Sequence, residues 1–354
     1  MAVDKNQEDS SAKARTAPDP EDNRKPDTPM QLRKPAWRYI LKRALREFGK
    51  DQCPDLAAAL TYHAVLSVFP ALLALVSLLG LVGQADKTTA ALLGMVQKIA
   101  PGSVDIIKGP IEQITHAQSA GFALIIGILV ALFSASGYVG AFSRAMNRIF
   151  EIDEGRPLWK LRPTMLAVTL VAVILVAVMA LMLIVSGPVA QAVGDALGVG
   201  DTGLLVWNII KWPIIVLLVI VVIAILFYAT PNVKQPKFRW LSMGSLISLV
   251  VFVLISLVFG FYVANFSHYN KTYGTIGGAI VLLLWLWILN MSLLFGAEFD
   301  SEVERGRELQ GGIKAEETIQ LPPRDTKRSD KVHGQEQEEI AEGRSLREES
   351  DGHE

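Results

Sequence analysis

Thr61, Tyr62, His63 and Ser67 lie close together near the start of a long apolar stretch, and another such stretch carries a single amide, Asn290. Ionisable groups in lipid cost ~2.5–3.5 kcal/mol at mid-helix on insertion scales, so polar side chains retained there are the first candidates for function. His63 has the chemistry to relay a proton or to contact a lipid headgroup, and a neutral imidazole bonded to a neighbouring helix explains it at least as well. Tyr62, His63 and Ser67 span less than two turns. Most of the cluster can therefore face inward and line an internal cavity, although Tyr62 and His63 cannot point the same way. Asn290 bonds across helices, an interaction worth ~0.6 kcal/mol on average, so structural glue is its plainest role. Glu298 and Asp300 close the same stretch, where the dipole of a helix C-terminus disfavours negative charge. Arg144 and Arg148 fall one turn apart at the same expected depth. One of them is expected to pair with Glu298, either as a structural bridge or as an inner gate.

Positioning these groups requires elements that cross a bilayer. A hydrocarbon core ~30 Å thick needs about 20 apolar residues of helix, at ~1.5 Å rise per residue. Residues 56–83, 121–143, 164–186, 204–230, 240–265 and 274–299 meet that length. Their backbones have no water to bond, and they lack the alternation of barrel strands, so helix is the remaining solution. The fold class is all-α: a polytopic membrane protein with six transmembrane helices, an amphipathic N-terminal helix and disordered cytoplasmic tails.

Charge orients the bundle. Sixteen Lys and Arg, from Arg38 to Lys50, Arg144 to Arg162, Lys234 to Arg239 and Arg305 to Lys314, flank the spans on one side; the alternate connections hold Lys87, Lys98, Lys108 and Lys271, or five positives with Lys211. Positive residues are retained on the cytoplasmic side, so both termini are expected there. Trp159 and Trp240 would mark the inner interface, and Trp207, Trp212, Tyr262, Tyr269 and Tyr273 the outer one. Trp285 and Trp287 fall mid-span and are expected to pack on helices or lipid tails. Lys211 would snorkel to the outer interface. Pro70 should loosen the first span.

The domain reading is a disordered tail over 1–36, a six-span membrane domain over 37–303 and a charged tail over 304–354. Residues 1–36 hold seven Lys/Arg against seven Asp/Glu, and residues 301–354 nine against fifteen, with few large apolar groups. That composition cannot bury enough surface to offset the entropy of ordering. No hydrophobic segment precedes Leu56, so the first span is expected to direct its own insertion. Residues 37–50, WRYILKRALREFGK, form a basic amphipathic helix, suited equally to an anionic inner leaflet and to the protein's own cytoplasmic face. In the 84–120 connection, Leu92, Val96 and Ile99, then Ile107, Ile111 and Ile114, fit two short helices around Pro101-Gly102. Ser136 with Gly140, and Gly274 with Gly278, have the four-residue spacing that lets helices approach, within one chain or between two. Cys53 is the one cysteine, so an intramolecular disulfide is impossible and a thiolate zinc site has at most one sulfur ligand.

DLAAALTYHAVLSVFP at 55–70 and YGTIGGAIVLLLWLWILNMSLLFGAEF at 273–299 resemble the YihY/BrkB family of bacterial inner-membrane proteins. Ser134-Ala-Ser136-Gly137, Asn147-Arg148-Ile149-Phe150 and Tyr228-Ala-Thr-Pro231-Asn232 agree with it, and the likeness covers roughly residues 37 to 305. The resemblance implies a six-helix protein of the cell inner membrane. It gives little on activity, since family members carry labels of ribonuclease BN or of virulence factor without an agreed chemistry.

The enzyme class is the least expected. A metal-dependent nuclease needs several His or carboxylate ligands converging beside an RNA groove. Here His63 falls in a span, His116 and His268 outside, and His333 and His353 in the cytoplasmic tail; a carboxylate-only magnesium site is not excluded by that argument. No aromatic and basic platform for nucleic acid accompanies them. No GxxxxGK[ST] phosphate loop occurs, so any transport would need a gradient or a partner. The sequence leads to a non-enzymatic protein without cofactor or metal that handles a lipid-like or amphipathic substrate. The alternative is an envelope scaffold. Expected partners are membrane lipids, with a second copy of the chain or an envelope protein as further options, and no nucleic acid.

Overall fold

A long apolar sequence satisfies its backbone only by coiling on itself, and the structure follows that rule. The computed structural model describes residues 10–81, 120–184, 200–236, 242–265 and 270–351. Among these are nine α-helices: α1 (Ser10–Thr16), α2 (Lys34–Lys50), α3 (Cys53–Leu81), α4 (Ala120–Ile149), α5 (Leu158–Ile184), α6 (Asp201–Ala229), α7 (Met243–Asn265), α8 (Asn270–Gln310) and α9 (Lys327–Asp351). Five of them, α4 to α8, are long and apolar enough to cross a membrane among the described residues. α3 supplies the sixth apolar run and continues unbroken through Pro70. The protein is therefore an all-α polytopic membrane protein. The expected helices of 84–120, together with Trp240, Tyr269, His116, His268 and His353, lie outside the described residues, as do the side chains of Tyr273 and Gly274.

Each expected span coincides with a helix, but α4 and α8 run past the apolar limit, α8 by eleven residues beyond Phe299. These extra turns are polar and find protein partners instead of lipid. Ile40 and Ala44 of α2 are fully buried against Phe299 and Val303 of α8, and Trp37 stacks on Phe299 at 6.3 Å. The amphipathic helix thus packs on its own protein. Its remaining apolar pair, Leu41 and Leu45, stays exposed beside Arg38, Lys42 and Arg46.

α3 and α4 run antiparallel, with His63 opposite Gly137 and Gln52 opposite Arg148. α7 and α8 approach more closely still, because Gly244 and Gly296 face each other: a Cβ on Gly296 would overlap the Ser248 hydroxyl and the Gly244 carbonyl. Helices in lipid gain little from the hydrophobic effect, so association rests on such close contact. Among the described residues the apolar core lies at one end of the bundle, called here the charged end because the Arg- and Glu-rich segments surround it. Leu60, Phe142, Met146, Leu294, Ile319 and Leu321 are among its largest fully buried members, and Tyr138, Phe142 and Phe227 stack in sequence at 6.4 and 6.1 Å. Toward the far end, α6 shows Leu205, Ile209 and Leu217 on its surface, α7 shows Leu254, Leu257 and Phe261, and α8 shows Leu282 and Leu284. α6 and α7 barely meet. At the charged end of their gap lies a cavity of about 350 Å³ lined by Phe227, Tyr228, Met243, Asp300 and Arg307 among others.

The expected disorder of the tails is corrected by the structure over residues 10–36 and 304–326. Lys13 and Lys25 are buried, and Ile319 and Leu321 of the segment following α8 enter the main core. Lys25 Nζ reaches Glu304 at 2.9 Å and Glu308 at 3.5 Å; Ser10 Oγ donates to Asp153 at 2.9 Å. Partners more than a hundred residues away supply the stabilisation that local composition lacks. α9 alone keeps the expected character, a charged helix with nearly every side chain exposed.

Candidate functional site

Where α3, α4 and α8 cross, three polar side chains form a chain of hydrogen bonds. Tyr138 OH donates to Asn290 Oδ1 at 2.8 Å, Asn290 Nδ2 donates to Thr61 Oγ1 at 3.1 Å, and Thr61 donates to the Ala57 carbonyl at 2.8 Å. Ser67 bonds within its own helix, to Ala64 O at 2.7 Å. Tyr62 is 63% exposed and points off the bundle, so it does not line an internal cavity. The outward choice follows from helix rotation: Thr61 takes the interface, and its neighbour must turn away by ~100°. His63 is half-buried, edge-on to Tyr62 at 5.5 Å, with Nδ1 3.3 Å from where a Cβ on Gly137 would stand. Trp285 and Trp287 pack on helices, the first against Phe252 at 5.8 Å and the second donating to Pro54 O at 3.0 Å. Lys211, expected to snorkel, is 5% exposed and donates to Asn208 at 2.9 Å. Ser136 is buried and bonds to Phe133 O at 2.6 Å, whereas Gly278 is exposed.

Arg144, Arg148, Glu298 and Asp300 do not form one cluster. Arg148 turns to the α2–α3 corner, 3.8 Å from Asp51 and 3.3 Å from Gln52 Oε1. Asp300 accepts from the Gly244 amide at 2.6 Å and so caps the N-terminus of α7, where negative charge is favoured. Glu298 is buried with Oε2 lacking a hydrogen-bond partner, and no ion pair to it forms among the described residues. Arg144 is exposed and makes neither hydrogen bond nor ion pair there. Its guanidinium lies back along α4, with Nη1 3.9 Å from the Cβ position of Gly140.

The dense polar chemistry lies elsewhere, in two networks at the charged end. In the first, Arg156 forks onto Glu154 with two bonds of 2.7 Å and also donates to Thr230 O at 2.7 Å. Asn147 bonds Glu154 at 3.0 Å and accepts from the Asn232 amide at 2.7 Å, and the Asn232 side chain reaches Asp153 O and Asp325 O at 2.8 and 2.9 Å. The second centres on Arg305, 1% exposed, which donates to Glu302 at 3.0 Å, Glu151 at 2.9 Å and Ala315 O at 2.8 Å; Arg43 joins through Glu302 at 3.2 Å. Glu151 holds a left-handed φ of 51°, which lets its carboxylate also accept from the Ile319 amide at 2.9 Å. The Asn-Arg-Ile-Phe and Thr-Pro-Asn motifs were the signal for the first network, without showing what they bond. Among the described residues no three His, Cys, Asp or Glu side chains are grouped to hold a metal ion. Cys53 is fully buried, and burial pushes its thiol up, away from nucleophilic chemistry at neutral pH.

Burial pushes the Asp51 carboxyl up to about 6, with Glu151 and Glu47 adding to the rise and Arg148 opposing it. The folded value lies above the unfolded one, so the native state takes up a proton first as pH falls. Stability should increase on going from above pH 6 toward pH 4, by on the order of 2–3 kcal/mol for this group alone. Asp51→Asn is expected to raise the unfolding temperature at pH 7.5 and to flatten its dependence between pH 4 and 7. An unaltered profile would reject the assignment.

Six long apolar runs in helices, closed at one end by internal salt bridges, define a multi-pass membrane protein whose polar groups mostly serve its own architecture. The chain belongs to the family described as Virulence factor BrkB, which it matches over residues 44–319. Over 273 residues it is 28% identical to the ribonuclease-like protein YfkH of Bacillus subtilis, covering 76% of this chain and 97% of that one. It is 27% identical to a UPF0761 membrane protein of Alkalilimnicola ehrlichii and 28% identical to another of Ralstonia nicotianae, in each case over 74% of its own length. It spans 56% and 58% of those two relatives. No solved structure matches the chain.

Proposed function

We propose that this chain is a non-enzymatic protein of the bacterial inner membrane, with both termini cytoplasmic, that handles a lipid-like or amphipathic substrate inside the bilayer. One observation carries the reading: α6 and α7 barely meet and leave apolar faces bare along their far halves, while the buried core of the described residues lies at the charged end. A gap of that kind admits an acyl chain. The positive flanks of the charged end support its cytoplasmic placement. The ribonuclease likeness in the name of the Bacillus protein is not carried over, because most of the buried carboxylates and arginines of the charged end hold loops together. A scaffold role is the second reading, favoured by α9, whose exposed charged surface suits a soluble partner or an envelope protein.

The test is movement. Full-length protein reconstituted in vesicles with a headgroup-labelled phospholipid should raise the rate at which label becomes accessible from the opposite leaflet above that of an unrelated six-span protein. Equal rates for the two proteins, with and without a membrane potential or pH gradient, would reject lipid handling.

A further inference from the structure

We infer that the groove between α3 and α4, at the level of Gly137 and Gly140, holds the phosphate of an anionic phospholipid, with Arg144 as its charged anchor and His63 and Tyr62 beside it. The inference rests on the lipid-handling reading only for its choice of occupant. Gly137 and Gly140 are three residues apart and share one face of α4. His63 Nδ1 stands 3.3 Å from the Cβ position of the first, and Arg144 Nη1 3.9 Å from that of the second. The imidazole and the guanidinium thus occupy adjoining places on a strip that glycine has left bare. None of Arg144, His63 and Tyr62 has a hydrogen-bond partner among the described residues, although Tyr138, Asn290 and Thr61, at nearly the same level, are fully engaged.

Depth makes this arrangement costly without a ligand. His63 is seven residues beyond the start of the apolar run, ~10 Å along the helix axis. A free arginine near a helix end extends its head toward water. Arg144 instead lies back over Gly140, one turn nearer the N-terminus of α4. An anion at that level supplies what is missing, and charge-assisted bonds to phosphate are the strong ones for a guanidinium. The strip continues with Phe133 and Leu129 on α4 and Leu66 on α3, all exposed and apolar, which gives an acyl chain a surface directly beyond the headgroup. A phospholipid matches both halves of the groove; a soluble anion matches only the first.

Native mass spectrometry of the full-length protein in detergent, titrated with phosphatidylglycerol, phosphatidylcholine or inorganic phosphate, tests this. The wild type should retain phosphatidylglycerol in preference to phosphatidylcholine, and Arg144→Ala should weaken that retention about tenfold, or ~1.4 kcal/mol. Arg144→Lys should recover part of it, and Arg46→Ala, which removes an exposed arginine on α2, should change it less than about twofold. Should Arg144→Ala fail to fold, Arg144→Gln and His63→Ala serve as the variants, with the same loss expected. Equal loss from Arg46→Ala and Arg144→Ala, no preference between the two lipids, or displacement by inorganic phosphate would each overturn the site. Vesicles that show no lipid movement while phosphatidylglycerol still binds through Arg144 would remove the transport reading and leave this site standing.

Discussion

Replacing Arg305 by alanine is expected to destabilise the protein by on the order of 3–5 kcal/mol, the cost of removing one member of a buried charge network. Arg305 is 1% exposed and is the common partner of Glu302 and Glu151, so its loss leaves two carboxylates facing each other and frees the Ala315 carbonyl. Glu302 already has one oxygen without a hydrogen bond and cannot absorb the loss. Lysine should rescue little, because a single ammonium cannot reproduce the fork that spans both carboxylates and the carbonyl. Thermal unfolding of the full chain in detergent measures the first effect, and limited proteolysis after α8 measures the second: residues 311–326 should become cleavable. A variant with unchanged melting and an intact protease pattern would show that the network is dispensable.

Gly296→Ala should have an effect of similar rank from the opposite cause, excess volume. The added methyl would overlap the Gly244 carbonyl, which is backbone and cannot rotate aside, as well as the Ser248 hydroxyl. Overpacking of this kind costs ~1–3 kcal/mol and sometimes more. The expected results are a lower melting temperature and a loosened α7–α8 pair, read as increased cross-linker access between engineered cysteines on the two helices. Because the backbone overlap remains, adding Ser248→Ala should restore only a small part. Full restoration by that second change would mean that the helices separate easily and that close approach is not what joins them.

How far the sequence reveals this architecture depends on the range of the interaction involved. Spans are legible because apolar length is a local property, and all six runs appear as helices. The end of α8 is not, since residues 300–310 are polar and take their partners from α2, the N-terminal segment and the α4–α5 loop. The same holds for the tails: Lys25 finds Glu304, and Ser10 finds Asp153, across separations that composition cannot register. Asn290 reads correctly as a group that bonds between helices, yet its partner Tyr138 reads only as an aromatic in an apolar run. Arg148 and Glu298 illustrate a different difficulty. Their depths agree, but depth does not fix the rotation of a helix, and Arg148 faces the α2–α3 corner instead. For Arg144 the sequence marks an arginine at a membrane boundary; only the three-dimensional arrangement shows that its head turns toward glycine and away from every described acid.

The segment between α8 and α9 joins parts of the chain made long before it. Its Ile319 amide satisfies Glu151, its Asp325 carbonyl accepts from Asn232, and Val233 pairs with Pro323 in a short antiparallel bridge. During biosynthesis both loops are complete before this segment is translated. For that interval Glu151, Asn232 and the carbonyls they serve depend on water. Closure of the charged end therefore waits until this segment has been made. A ribosome stalled shortly after Gln310 would release a protein with a complete set of spans and an open, hydrated face, a form that membrane quality-control proteases could distinguish from the finished one.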